Sequence, residues 1–418
     1  MIRRSFLCLV LAFAVAGPAS ADDFFFKDGD RVIVLGDSIT EQHLYSNYLE
    51  IWTVTRFPRW HISFRNVGIG GDRSTGGNSR FERDILTYKP TAMTVDFGMN
   101  DGNYQEFREP AFKTYMNGLQ GIANQAKAAG VRVAWVTPSP VEKKEDGSAM
   151  QGYNETLEKY SAGVKEIAEK NHGLFVDQFH PFIAALDKAR AADPKKRIGG
   201  GDAVHPGAPG QALMAAEILK GLHFPSLVSS IEIDAAADKV KEAQNCTAEK
   251  LEAKMDHVRF LQFDASLPFF PAAAKSILTW SPLEEQLNDY RLKVTGLTPN
   301  KYSVSLGGTK VAEYSAEQLA EGVNLAAAAL SKGPVADQVK QVAAAVEAKN
   351  KYYQDRVFRG IVLAGPVPDY LEMTPEEVQS RKKAATEKRL RRIPELEAAI
   401  QKALAPRPHL VEIAPVGS

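Results

Sequence analysis

Three short segments hold the residue types from which acyl-transfer chemistry is built. They are Gly36-Asp37-Ser38-Ile39-Thr40, Gly98-Met99-Asn100-Asp101 and Asp202-Ala203-Val204-His205. A lone serine hydroxyl is inert at neutral pH, but a histidine base, an orienting carboxylate and preorganised N–H donors activate it. The spacing of three between Asp202 and His205 puts both side chains on one face of a helical turn or tight loop. Pro206 and the glycines at 199, 200, 201, 207 and 210 predict a loop there, a common site for catalytic groups. In this reading His205 takes the Ser38 proton and returns it to the leaving alcohol, while Asp202 fixes the imidazole tautomer. The oxyanion is expected to be held by the backbone N–H of Ser38, the unobstructed N–H of Gly71 and the side-chain amide of Asn100.

Each residue also has an ordinary explanation. Asp37 or Ser38 can cap a helix, and Asn and Gly are common turn residues. The segment is not a Gly-x-Ser-x-Gly elbow, because Thr40 stands in place of the second glycine. His180 is not expected to be the base, since Asp177 precedes it on a strand end in a different register. His43, His61 and His172 lack a partner at useful spacing. Cys246 has no neighbouring His or acid that makes a nucleophile of it, and no His/Asp/Glu cluster has metal-ligand spacing.

The elements that must position these groups can be read from apolar patterning. Five short, β-branched-rich runs, at 31–35, 62–67, 92–97, 131–136 and 174–176, alternate with longer segments, among them 112–129 and 153–170, that read as helices. Strands apolar on both faces and alternating with helices predict an α/β fold with a parallel sheet covered on two sides. Ligands of such sheets bind beyond the carboxyl ends of the strands. Gly36-Asp37-Ser38, Gly68-Ile69-Gly70-Gly71 and Gly98-Met99-Asn100-Asp101 each follow a run and obey that rule. A helix over about 209–222 closes this layer.

Beyond it the composition changes. Residues 226–257 read as helical and charged and 258–263 as a strand. Residues 290–294 with 302–314 form a small antiparallel element turning at Gly307-Gly308. Thr374, Pro375 and Glu377 make a capping box ahead of a charged helix to about 403, read as solvated or protein-facing. The domain reading is a leader at 1–21, a hydrolase domain at 22–225, an accessory α+β region at 226–370, and a charged helix and tail at 371–418. No internal repeat is evident.

Arg3 and Arg4 precede an apolar run at 6–16 and then Ala19-Ser20-Ala21, the pattern of an export signal cleaved after Ala21. The run is shorter than the roughly 20 residues that span a bilayer, so a secreted or periplasmic protein is expected. Cys8 lies in that leader, leaving Cys246 alone and no internal disulfide to form. The chain carries 51 basic and 51 acidic residues among 418. That balance gives no reason to expect nucleic acid as a partner. No later apolar stretch is long enough to cross a membrane.

Taken in order, these blocks resemble the GDSL/SGNH hydrolase family. Gly36-Asp37-Ser38 matches its nucleophile block. Gly71 within Asn66-Val67-Gly68-Ile69-Gly70-Gly71-Asp72, Asn100 within Gly98-x-Asn100-Asp101, and Asp202-x-x-His205 match the other three. The resemblance covers about residues 30–222. It implies a flavodoxin-like three-layer α/β/α domain with a five-stranded parallel sheet, a serine esterase mechanism and no cofactor or metal. Arg73 departs from the Thr or Ser that many members carry after the glycine donor, and the long C-terminal region is an addition. The expected function is an exported esterase cleaving small acyl esters, O-acetyl on carbohydrate, through an acyl-Ser38 intermediate. The alternatives are a lipase-like, lysophospholipase or thioesterase activity, or a polysaccharide- or protein-binding module on a hydrolase scaffold. The oligomeric state is not legible in the sequence.

Overall fold

The computed structural model describes residues 23–142, 152–368 and 371–417. The export leader and its cleavage site lie outside the described residues.

Five strands, β1 (Arg31–Gly36), β2 (Ser63–Asn66), β3 (Ala92–Asp96), β4 (Arg132–Val136) and β5 (Leu174–Val176), form one parallel sheet in the order β2-β1-β3-β4-β5. Alternate residues of β1, β3 and β4 enter different cores. Val32, Val34, Ala92, Ala134 and Val136 pack on one side with the helices Leu44–Arg56 and Ala208–Gly221. Ile33, Leu35, Met93, Val95, Val133 and Trp135 pack on the other with the helices Glu109–Ala128 and Tyr153–Lys170. Burial on both faces is why these strands read as continuous apolar runs, and it produces the three-layer α/β/α sandwich. The register pairs Gly36 of β1 with Asp96 of β3, and Asp96 with Val136 of β4. The strand ends are thereby level, and the loops that leave them emerge along one rim.

The C-terminal half is the added α+β region that its sequence predicts, but with more strand than that reading places there. Its described residues form nine strands: β6 (Leu227–Asp234), β7 (Lys239–Gln244), β8 (Cys246–Lys254), β9 (His257–Asp264), β10 (Asp289–Thr295), β11 (Lys301–Leu306), β12 (Thr309–Ser315), β13 (Val323–Asn324) and β14 (His409–Pro415). They make a four-stranded sheet, β13-β10-β6-β7, and a five-stranded antiparallel sheet, β12-β11-β14-β9-β8. Residues 226–257 are therefore strands, not a charged helix. The Lys, Glu and Ala of β7 and β8 belong to edge strands, where charge discourages pairing with other chains. The β11–β12 hairpin turns at Gly307-Gly308, both with positive φ, as read from the sequence. β10 instead joins the other sheet, pairing parallel to β6. The capping box at Thr374 and Glu377 is formed, but its helix ends at Leu390. A second helix, Ile393–Leu404, starts with Pro394 in its first turn, a position proline favours.

The two halves interlock through buried polar groups. The helix Pro334–Tyr352 lies on Leu44–Arg56, where the Lys349 ammonium pairs with the Glu50 carboxylate and both are out of water. Asn350 donates to Glu50 Oε2 and to Asn47 Oδ1, each at 2.8 Å. A buried pair with its remaining valences satisfied adds little net stability, but removal of either partner strands a charge at a cost of about 3–5 kcal/mol. The guanidinium of Arg56 donates to the carbonyls of Pro225 and Leu287.

Candidate active site

Gly36 ends β1 and the chain turns at once into the short helix Ser38–Glu41, capped by Asp37, whose Oδ1 accepts from Ile39 N at 2.9 Å. A Cβ at position 36 would lie 2.1 Å from Thr40 Oγ1 and 2.7 Å from the Asp96 carbonyl, so only glycine permits this strand-to-helix turn. Ser38, the first helical residue, projects its hydroxyl to His205, with Oγ and Nε2 2.9 Å apart. On the far side of the ring, His205 Nδ1 lies 3.0 Å from Asp202 Oδ2. The proton on this imidazole is set by its partners: a carboxylate accepts only, so Nδ1 donates and Nε2 is left to accept from Ser38.

The Asp202–His205 loop is held from several directions. Asp202 Oδ1 also accepts the backbone N–H groups of Val204 and His205, each at 2.8 Å. Partial burial raises the Asp202 carboxyl, but the N–H groups of His205 and Val204 and the imidazole outweigh it, leaving the group below the usual carboxylate range. Gly201 has φ +67, and a Cβ there would meet the His205 carbonyl at 2.2 Å. Buried Glu142 receives Ile198 N at 2.8 Å and Gly199 N at 3.2 Å, anchoring the start of the loop. Gln211 grips its end by donating to the Pro206 carbonyl at 3.1 Å while accepting from Tyr45 N at 2.9 Å. Sequence reasoning missed Glu142, whose partners are remote in the chain, and Gln211, which ties Pro206 to the distant Tyr45.

Asp177 and His180 repeat the Asp-x-x-His spacing, and the expectation that Asp177 faces a different register is not met. His180 Nδ1 sits 2.7 Å from Asp177 Oδ2, with Nε2 directed toward Glu158. His205, by contrast, is bonded to Ser38. Cys246 is buried against the Ser230 carbonyl, and burial pushes its thiol up to about 12, the opposite of activation. Among the described residues no group of three or more His, Cys, Asp or Glu is placed to hold a metal ion.

The donor side of the site comes from the loops after β2 and β3. Gly68 packs on the Ser38–Glu41 helix so closely that a Cβ would lie 2.5 Å from Glu41 N. Asn66 fixes the same contact, donating to the Thr40 carbonyl at 2.6 Å and accepting Gly68 N at 2.9 Å. Gly71 follows with φ +73. Asn100 is held at both ends of its amide: Nδ2 donates to the Asp72 carbonyl at 2.9 Å, and Oδ1 accepts the Tyr104 hydroxyl at 2.6 Å. Nδ2 retains a second hydrogen for another acceptor. Asp101 supports this arrangement by accepting Ser74 N and Oγ at 3.0 and 2.7 Å, and burial raises its carboxyl to about 6. Arg73 reaches Asn103 Oδ1 at 2.7 Å, and Asn103, Tyr104 and Arg73 together form a polar, partly aromatic rim.

Two buried carboxyls, Asp37 and Asp96, lie close to Ser38 at the ends of β1 and β3. Burial, reinforced by Asp101 and Asp72, lifts Asp37 from 3.8 to about 7. Asp96 is also raised well above the usual carboxylate range by burial and by Asp37, while Gln178 donates to it at 2.9 Å. A carboxyl whose folded pKa is raised binds its proton more tightly folded than unfolded, so its contribution to stability is full below about pH 4 and is lost as pH rises through 7. Asp37→Asn keeps the capping oxygen and removes the titration. The variant is expected to match the wild type in urea unfolding near pH 4 and to exceed it at pH 8, by up to about 4 kcal/mol.

The GDSL-like lipase/acylhydrolase family matches residues 34–213. An acetylxylan esterase of Geobacillus stearothermophilus is 24% identical over 221 residues, which span 47% of this chain and 95% of that protein. The solved structure of a gut microbial diltiazem-metabolizing enzyme, also 24% identical, covers 94% of this chain and 98% of its own at a TM-score of 0.80. The C-terminal sheets are thus shared with that fold as well as the catalytic layer.

Proposed function

Residues 34–213 of this ester hydrolase belong to the GDSL-like lipase/acylhydrolase family, and from that premise we propose an exported serine esterase that removes acetyl groups from carbohydrate. The observation that carries the mechanism is the continuous relay Ser38 Oγ to His205 Nε2 and His205 Nδ1 to Asp202. Ser38 attacks the ester carbonyl as His205 takes its proton. The tetrahedral oxyanion is met by the N–H groups of Ser38 and Gly71 and by the Asn100 amide. Collapse transfers the acyl group to Ser38, and the proton on His205 passes to the leaving alcohol. Water deprotonated by His205 then attacks the acyl carbon, the bond to Ser38 Oγ breaks, and His205 returns the proton to Oγ as the acid leaves.

Support for carbohydrate comes from the acetylxylan esterase relative and from the rim, where the Tyr104 ring is part exposed beside Arg73 and Asn103. A sugar face suits such an aromatic edge flanked by hydrogen-bonding groups. Export is supported by the leader-type sequence of residues 1–21. The test is acetate release from acetylated xylo-oligosaccharides, together with p-nitrophenyl esters of increasing acyl length. Release from the glycans, with kcat/KM falling beyond short acyl chains, is expected. Preference for long acyl chains and no release from glycans would replace acetyl carbohydrate by a lipid substrate.

A further inference from the structure

The helix Pro334–Tyr352 continues into a π-helical segment, Tyr353–Val362, that runs past the nucleophile helix. π-Helical winding is rare and is frequent at functional sites. In an α-helix, residues five apart point roughly 140° away from each other, whereas i→i+5 winding brings them toward one face. The winding here sets Gln354 beside His43, at the junction of the two helices that follow β1, and sends Arg359 to Glu41. Arg359 donates from Nε and Nη2 to Glu41 Oε1 at 2.9 and 2.5 Å.

Glu41 is the last residue of the helix that Ser38 begins. Its second oxygen, Oε2, rests on the loop of the glycine donor: a Cβ added to Gly70 would lie 2.9 Å from it, and Gly71 is the next residue. One carboxylate thus touches the nucleophile helix, the donor loop and a side chain of the C-terminal half. Left unpaired, it would place a full negative charge beside the place where the oxyanion develops, and in a partly desolvated site such a charge opposes the transition state.

We propose that Arg359 is a positioning residue of the esterase, which neutralises Glu41 and pins its carboxylate over Gly70. Resting on the reading of Ser38 and Gly71 given above, this makes turnover in the catalytic layer depend on the C-terminal half. A bare structural ion pair at this exposure would contribute little to stability and nothing to kcat.

The test compares full-length wild type, Ser38→Ala, R359A, R359K and E41Q/R359A on p-nitrophenyl acetate, with Tm measured for each. R359A is expected to lose about tenfold in kcat, less than the loss of a direct oxyanion donor, at unchanged KM and Tm. R359K is expected to recover most of that loss, and E41Q/R359A to turn over faster than R359A because the stranded charge is gone. Equal kcat in R359A and wild type, a loss of kcat accompanied by a fall in Tm, or no recovery in either rescue variant overturns the role of Arg359. Each of those results leaves the esterase reading intact provided Ser38→Ala is inactive. Equal turnover in wild type and Ser38→Ala removes that reading and this role together.

Discussion

Ser38→Ala loses about 10⁶-fold in kcat on p-nitrophenyl acetate, the order seen when a serine nucleophile acting with its base is deleted. The residue is otherwise undemanding. Its Oγ is bonded to His205, and the cap that begins its helix is made by Asp37 and Ile39, so the variant is expected to fold and melt like the wild type. Activity and stability therefore separate, and a change in Tm would show that the substitution had done something other than remove a nucleophile. Rapid mixing of the wild type is expected to show a burst of p-nitrophenol equal to the enzyme concentration wherever deacylation is the slower step, the mark of an acyl-enzyme. Persistence of turnover within tenfold of wild type excludes Ser38 as the attacking group.

Asp202→Asn follows with a loss of about 10⁴-fold. The amide keeps an oxygen for Val204 N and His205 N, the two bonds that shape the turn. Its NH2 group then faces His205 Nδ1, which must accept, leaving the proton on Nε2 directed at Ser38. The base is in place but in the wrong tautomer. kcat should therefore fall with KM nearly unchanged. Because the hydrogen bonds hold the Asp202 carboxyl below the usual range, the carboxylate stays ionised through mild acid, and its protonation does not set the acid limb of the wild-type profile. A loss of less than about tenfold in kcat would mean that the backbone of the 198–207 loop, rather than the Asp202 charge, orients the ring.

The catalytic layer was legible because its signals are local. Residues 174–176 and 153–170 coincide with the observed strand and helix, since burial on both faces and helical periodicity are written in consecutive side chains. Ser38, Asp202, His205, Gly71 and Asn100 stand out in the sequence because each lies in or beside a glycine-marked turn, and the structure brings Ser38, His205 and Asp202 within hydrogen-bond distance of one another. What holds them was hidden. Glu142 meets Ile198 and Gly199, more than fifty residues away, and nothing in Val141-Glu142 announces that.

The C-terminal half misled for a related reason. Lys239–Gln244 and Cys246–Lys254 are rich in Lys, Glu and Ala, which favour helix in isolation, and only cross-strand partners impose the extended form. β14 carries a local signal: His409, Val411 and Ile413 alternate as buried residues with more exposed ones, a period of two that belongs to a strand. Pro394 likewise marked the break between the last two helices.

The central position of β14 makes one sheet out of two hairpins. Residues 409–415 lie between β9 and β11, pairing with Val258–Gln262 on one side and Tyr302–Leu306 on the other. The hairpins β8–β9 and β11–β12 share no ladder of their own, so without β14 each would keep a bare edge open to other chains. Residues 409–415 are thus a keystone: a chain cut ahead of them is left with two half-sheets.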